Sequence, residues 1–413
     1  MNIWLINHYA VPPKYYPLAR TTNFAKYLIR KGYSVTIFAA SSIHNSCINL
    51  ITDRSKKRTE TIDGISYVYV KTDTYEGNGK ARIINMFQFA RRLPAVCQDF
   101  PKPDVILASS ATPMACMAGI KLAKIYKCKC IAEISDLWPE SFVAYGLISS
   151  KNPLLKLMFA YEKKMYKKAD KIIFTMAGGK DYIIEKGWDF EHGGPIKLNK
   201  IYHLNNGVDL EVFDHNKKAF IANDEDIEDE NTFKVVYVGA IRSVNKVDKV
   251  FEVAKLLKNY NIKFLLWGRG DQFDLLRQRA TDMFLHNVIF KGYVEKHYIP
   301  YIVSKAQLNI LFGDHLPIYR FGVSPNKLFD YFASGKPTLL TFKTGYSLIE
   351  KYKCGIEIDG FDAKQIAAGI LYFKNMNENI YNKYCENARQ AAEDFDFKRL
   401  TSMLSEIIQM QEI

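Results

Sequence analysis

The sequence predicts an α/β fold with two doubly wound domains, each a parallel sheet covered by helices on both faces. Three observations carry that expectation. Short apolar, β-prone runs alternate with longer amphipathic segments along all 413 residues, and the series starts afresh near the midpoint. The motifs richest in chemistry then fall directly after the apolar runs, where open α/β sheets bind ligands beyond the carboxyl ends of their strands.

In the first half the expected strands are residues 3–7, 34–39, 105–109, 130–134 and 171–175. In the second half they are 234–239, 263–268, 288–291, 308–312 and 338–342. Between them, residues 222–232 read ANDEDIEDENT, acidic and almost free of aliphatic side chains, which suits an exposed connection. The domains are therefore set at 1–205 and 233–395, joined through 206–232, with 396–413 as a closing segment. Two such halves are expected to face each other across a ligand-binding cleft.

An apolar content of 48% is enough to fill two real cores. The opening MNIWLIN lacks the basic start and cleavage region of a secretion signal, and no run approaches the roughly 18 to 20 apolar residues of a membrane span. A soluble or peripheral cytoplasmic protein is expected. Seven cysteines without framework spacing, including Cys128 and Cys130 with no second pair to complete a zinc site, read as reduced thiols.

The charge is one-sided. Residues 1–205 hold 30 Lys/Arg against 16 Asp/Glu, and residues 206–413 hold 27 against 28. Such a field points to a partner with phosphates, either an anionic membrane face or a lipid diphosphate. Nucleic acid is disfavoured, because zinc-finger spacing, RNP-like aromatics and an arginine-rich reading helix are all missing from the sequence.

Residues 324–337, SPNKLFDYFASGKP, read as a helix built to hold a diphosphate and a ribose. Ser324 suits an N-cap and Pro325 the first helical position, so the amides of Asn326 and Lys327 would point outward as an anion site. Asp330, about 6 Å further along the same face, is placed for ribose hydroxyls. Gly335 and Pro337 end the helix. Gly239, Arg242 and Lys246 form a second set: a strand ending on glycine, then two cations four residues apart that can neutralise a diphosphate leaving group. Gly268-Arg269-Gly270 lacks the third glycine of a dinucleotide fingerprint, which disfavours a hydride-transferring enzyme and leaves a tight turn before Asp271 as the use of both glycines.

With these motifs in order, the chain resembles the GT-B glycosyltransferases of the large retaining group called family four, especially members acting in bacterial cell-surface polysaccharide synthesis. The matching stretches are DLWPES at 136–141, NNGVDLEVF at 205–213, YVGAIR at 237–242, WGRGD at 267–271, NVIFKGYV at 287–294 and SPNKLFDYFASGKP, spread over nearly the whole chain. The resemblance implies two Rossmann-like domains, an acceptor side at 1–205 and a nucleotide-sugar side at 233–395. It also implies a last helix crossing back to the first domain. Arg242 and Lys246 would grip the diphosphate and Asp330 the ribose. Backbone near Tyr293 and Val294 would meet the base, and residues 323–327 would line the phosphates. Asp136 and Glu140 become candidates for holding the acceptor hydroxyl, and His8 is expected to point toward the cleft.

Two departures stand out. The family commonly carries an acidic pair eight positions apart, but here Gly322 holds the first place and Asp330, rather than Glu, the second. Members often have a glycine-rich loop after the first strand, whereas this chain has KYYPLAR at 14–20, whose bulk denies close backbone approach. No metal and no cofactor are implied: the DxD spacings at Asp224/Asp226 and Asp394/Asp396 fall in the acidic connection and near the end.

Residues 82–96, RIINMFQFARRLPAV, set Ile83, Met86, Phe87, Ala90 and Leu93 at helical spacing beside Arg82, Arg91 and Arg92, and residues 151–168 set Leu154, Leu155, Met158 and Phe159 among lysines. Both suit helices docking on an anionic inner-membrane surface. The function expected is retaining, metal-independent transfer from a nucleotide diphosphate sugar, UDP-sugar before GDP-sugar, to a lipid-diphosphate-linked glycan in capsule, O-antigen or exopolysaccharide synthesis. A GT-B sugar-nucleotide epimerase and a non-catalytic sugar-nucleotide- or glycan-binding relative are the alternatives. The oligomeric state is not legible in the sequence.

Overall fold

Parallel strands covered on both faces must be apolar throughout, and β1 (Asn2–Ile6) is: every side chain after Asn2 is buried. The computed structural model describes residues 1–15, 20–44, 46–77, 79–360 and 362–410. It divides the chain into two units, one of Met1–Asn205 with the chain from Leu400 on, the other of Asn206–Arg399.

The first unit adds β2 (Ser34–Ala40), β3 (Lys57–Ile62), β4 (Ile65–Val70), β5 (Val105–Ser109), β6 (Lys129–Ile134), β7 (Lys171–Phe174) and β8 (Ile201–His203). Their order is β3-β4-β2-β1-β5-β6-β7-β8, parallel except for the β3–β4 hairpin. That hairpin was not expected, because β3 is a half-exposed edge strand reading KRTETI. Its turn is nonetheless written in the sequence: Asp63 and Gly64 both take positive φ, at 51° and 76°, as a two-residue hairpin turn demands. The final helix, Phe397–Gln409, is tied into this unit by Lys171, whose ammonium donates to the carbonyls of Ile407 and Met410, and by Tyr33 and Ser405, 2.7 Å apart.

The second unit is a wholly parallel sheet of β9 (Phe233–Val238), β10 (Ile262–Trp267), β11 (Val288–Gly292), β12 (Leu308–Leu311), β13 (Thr338–Leu340) and β14 (Gly355–Glu357), ordered β11-β10-β9-β12-β13-β14. One face packs Val235, Phe264, Ile310 and Leu339 against Ile366, Ile370 and Phe373 of the helix Ala363–Lys374.

The acidic stretch is not merely solvated. Ile227 is fully buried, Asp224 and Asp226 pair with Lys291, and Asp226 and Asp229 pair with Lys263, so these carboxylates dock the segment on the second unit. The basic helices also differ from expectation. Along Lys80–Cys97, Met86, Phe89 and Leu93 bury against the first unit while Ile83, Ile84 and Phe87 remain exposed. Along Pro153–Lys168, Leu155 is buried and Leu154 and Leu157 are exposed. No helix among the described residues is long and apolar enough to cross a membrane.

Candidate functional site

The second unit gathers its motifs at the carboxyl ends of β9, β10, β11 and β12. Three of the loops leaving these strands are laced by backbone hydrogen bonds: Gly239 to Trp267 at 3.0 Å, Ile241 to Arg269 at 3.0 Å and Gly268 to Gly292 at 2.8 Å. The packing leaves no room for side chains. A β-carbon on Gly268 would fall on the Gly239 carbonyl oxygen, and one on Gly270 on the Ile241 carbonyl oxygen. These glycines therefore permit loop-on-loop contact rather than forming only a tight turn, and the following helix starts at Phe273.

The helix Asn326–Ala333 is held in register by Tyr331, whose buried hydroxyl accepts from the Val238 amide at 3.0 Å and donates to the Ile310 carbonyl at 3.3 Å. Its start departs from expectation. Pro325, not Ser324, is the cap residue, because the Ser324 hydroxyl accepts the Asn206 amide at 2.9 Å and is drawn away from the helix. The amides of Asn326 and Lys327 still find no acceptor among the described residues, while Leu328 closes back on Pro325.

Lys327 lies where a phosphate is expected. Its ammonium donates to the Tyr237 hydroxyl at 2.9 Å and sits 4.5 Å from that ring's centre, and a side chain at Gly239 would occupy its place. It has no carboxylate partner among the described residues, and burial lowers its pKa to about 8. One turn on, the Asp330 carboxylate has neither an ion pair nor a hydrogen bond among the described residues, and burial raises its pKa against the opposing charge of Lys296. A half-buried cation and a half-buried carboxylate three residues apart on one helix, neither ion-paired among the described residues, are the kind of charges a ligand can complete.

Arg242 is exposed on the loop after β9, its side chain running past Gly270. Lys246 follows in the left-handed conformation, φ 51°, between two short 3₁₀ turns, and its ammonium is 3.2 Å from Asp314. Lys249 reaches the same carboxylate at 3.3 Å and the Gly313 carbonyl at 2.8 Å. These lysines hold the Asp314 carboxyl below its ordinary range, though its own burial opposes them. Tyr293 is exposed, with the Arg269 guanidinium 4.5 Å over its ring, and Val294 follows it, half-buried.

Gly322 adopts φ 90°, ψ 167°, a region open essentially to glycine alone, so a side chain on this backbone would be strained. Residues missed by sequence reading are Tyr237, Lys249, Arg269 and Asp314. Arg269 and Asp314 follow strands directly and were findable by that rule.

In the first unit, Asp136 follows β6, is exposed, and its carboxylate has no partner among the described residues; partial desolvation raises its pKa and Arg82 opposes the rise. Glu140 is instead occupied by Lys186, 2.6 Å away, which limits it as a holder of an acceptor hydroxyl. Trp138 packs edge-on against Phe142, ring centres 4.4 Å apart. His8, just beyond β1, is 1% exposed between Tyr9 and Phe89, and burial holds its pKa down to about 3, so it is neutral. Of the KYYPLAR loop, residues 16–19 lie outside the described residues. Arg20 donates to Glu133 at 2.8 Å and to the carbonyls of Leu204 and Asn205.

The profile of Glycosyltransferase Family 4 matches residues 19–212, and that of Glycosyl transferases group 1 matches residues 216–392. No curated protein matches the chain. Among solved structures, sucrose-phosphate synthase from Thermosynechococcus elongatus superposes with a TM-score of 0.71 at 15% identity, covering 98% of both chains. Anabaena HepE in complex with UDP and glucose gives 0.65 at 15% identity over 98% of both chains. An E. coli trehalose-6-phosphate protein bound with UDP-2-fluoro glucose gives 0.72 at 9% identity over the whole of both.

Proposed function

Starting from a chain whose two halves are a glycosyltransferase family 4 domain and a glycosyl transferases group 1 domain, we propose that this GT-B enzyme transfers a sugar from a nucleotide diphosphate sugar to a lipid-diphosphate-linked glycan. The observation that carries the donor half is the couple of Lys327, beside Gly239, and Asp330 three residues on, neither of them ion-paired among the described residues. Lys327 and the outward amides of Asn326 and Lys327 meet the diphosphate, and Asp330 accepts from the ribose hydroxyls. Arg242 and Lys246 take up the charge that develops on the leaving group. Tyr293, backed by Arg269, offers its ring to the base.

In this reading the acceptor hydroxyl oxygen forms the new bond to the anomeric carbon as the bond from that carbon to the β-phosphate oxygen breaks. The hydroxyl proton passes to the departing diphosphate on the same face, which retains the anomeric configuration. The protein positions the reactants and stabilises charge, and needs neither a nucleophile of its own nor a metal. UDP is the favoured nucleotide, supported by UDP or a UDP-sugar bound in two of the similar structures, and GDP is the second choice. The basic first unit supports a polyanionic acceptor on the inner face of the plasma membrane, as capsule, O-antigen or exopolysaccharide synthesis requires.

A thermal-shift screen against UDP, GDP, ADP, CMP, TDP and NAD tests the donor class, since a ligand bound only to the folded state raises its melting point. A selective rise with UDP or GDP is expected. Silence across the panel would sink the donor assignment and leave a glycan-binding relative as the better reading.

A further inference from the structure

The first unit holds a cluster of polar groups without partners among the described residues, at the carboxyl edge of its sheet. β1 pairs with β5 so that Ile6 stands opposite Ala108, which brings His8 and Ser110 out at the same edge. β5 pairs with β6 through Ser109 and Glu133, which puts Thr112 and Asp136 next in line. His8, Ser110 and Thr112 are at most 2% exposed, yet neither ring nitrogen and neither hydroxyl has a hydrogen-bond partner among the described residues. Asn85, whose side-chain oxygen is likewise without one, lies near the His8 ring without a bond of normal geometry. Each such orphan costs about 1–3 kcal/mol, so a hydroxyl-rich ligand that satisfies several gains by binding there.

Arg82 borders the same cluster. Its Nε donates to the Tyr9 hydroxyl at 2.9 Å, and its charge acts on both His8 and Asp136. It opens the helix Lys80–Cys97, whose next turn exposes Ile83, Ile84 and Phe87, each about half accessible. Arg82 thus stands at the border of the polar cluster, and the exposed apolar side chains follow it directly along the helix.

Building on the proposed function, we infer that the acceptor is a single sugar on a lipid diphosphate, and that the enzyme adds the second sugar of the chain. The hydroxyls of that first sugar meet His8, Ser110, Thr112 and Asp136, Arg82 meets the diphosphate, and the lipid starts along Ile83, Ile84 and Phe87. A longer glycan would part the diphosphate from Arg82 while its terminal sugar occupied the cluster. The reaction supplying this substrate is transfer of a sugar phosphate from a nucleotide sugar to a lipid phosphate: the lipid phosphate oxygen attacks the sugar-bearing phosphorus and a nucleoside monophosphate leaves.

The test is equilibrium binding of synthetic probes to the full chain: farnesyl diphosphates carrying glucose, galactose or N-acetylglucosamine, trisaccharide diphosphates built on each, and the phosphate-free farnesyl glycosides. At least one monosaccharide diphosphate should bind tenfold or more tightly than its trisaccharide and its phosphate-free counterpart. Arg82→Ala should erase the preference for phosphate and Arg82→Lys should keep most of it. Equal affinity for mono- and trisaccharide probes, no preference for phosphate, or an Arg82→Ala loss shared equally by phosphate-free probes would overturn the inference. Nucleotide melting shifts recorded on the same samples report separately on the donor half, so either reading can fail alone.

Discussion

The Lys327 ammonium rests 2.9 Å from the Tyr237 hydroxyl and 4.5 Å from the centre of its ring, and no carboxylate answers its charge among the described residues. Burial lowers its pKa to about 8. Without ligand, a lysine depressed in the folded state binds fewer protons than in the unfolded chain, so its unfavourable contribution fades as pH rises through 8 toward 10.5. A diphosphate reverses the preference by requiring the charged form. Nucleotide affinity should therefore fall as pH rises above about 8, approaching tenfold per unit. Calorimetric titration of the nucleoside diphosphate between pH 7.5 and 9.5 reads this directly. Lys327→Met should bind more weakly at pH 7.5 and lose the slope; a slope that persists in the variant would assign the titration to another group.

Lys246 and Lys249 share Asp314 at 3.2 and 3.3 Å, with Lys246 and Asp314 both substantially exposed. Such pairs contribute about 0–1 kcal/mol to stability, so Asp314→Asn should barely move the melting point. It should tighten nucleotide binding about threefold by freeing the lysines. Lys246→Ala or Arg242→Ala should instead lower kcat/KM by about 10²–10³, as loss of a preorganised charge-stabilising donor does. Unchanged turnover in both variants would remove them from the leaving-group site.

Much of this was legible beforehand, for identifiable reasons. The ten expected strands are all present because buried parallel strands are continuous apolar runs that need no context to be seen. β4, ISYVYV, is such a run yet stood outside the expected ten, β8 and β14, three residues each, are too short to leave a pattern, and polar β3 exists only because β4 offers it an edge. The helix at Asn326 was visible, but its cap was not: Ser324 looks like a cap until the Asn206 amide, 118 residues earlier, claims its hydroxyl. Tyr237 shares that difficulty, since only folding brings it to Lys327.

Gly268 should tolerate no substitution. A β-carbon there meets the backbone carbonyl of Gly239, which is itself bonded to the β10 end, and φ is 150°. Gly268→Ala should cost about 3 kcal/mol or more, because neither loop can withdraw without breaking the lacing. Gly64→Ala has open space around it and a φ of 76°, so the left-handed backbone alone sets its cost at about 1 kcal/mol. Urea melts of both variants compare the two, and a Gly268→Ala protein as stable as Gly64→Ala would contradict the packing of these loops.

The helix Pro153–Lys168 exposes Leu154 and Leu157, the latter 68% accessible, and Leu147 before it is 70% accessible. Lys151, Lys156 and Lys164 are exposed around them. Apolar side chains set among lysines gain from burial in lipid and from the surface potential of anionic headgroups, at about 1 kcal/mol per cation near the surface. The protein should float with vesicles containing phosphatidylglycerol and stay behind with phosphatidylcholine alone. Replacing Leu154 and Leu157 by serine should release it from the anionic vesicles while leaving nucleotide melting shifts intact, because neither residue belongs to the donor unit. Flotation indifferent to anionic lipid would defeat the proposed membrane docking, and loss of binding only in high salt would assign it to the lysines alone.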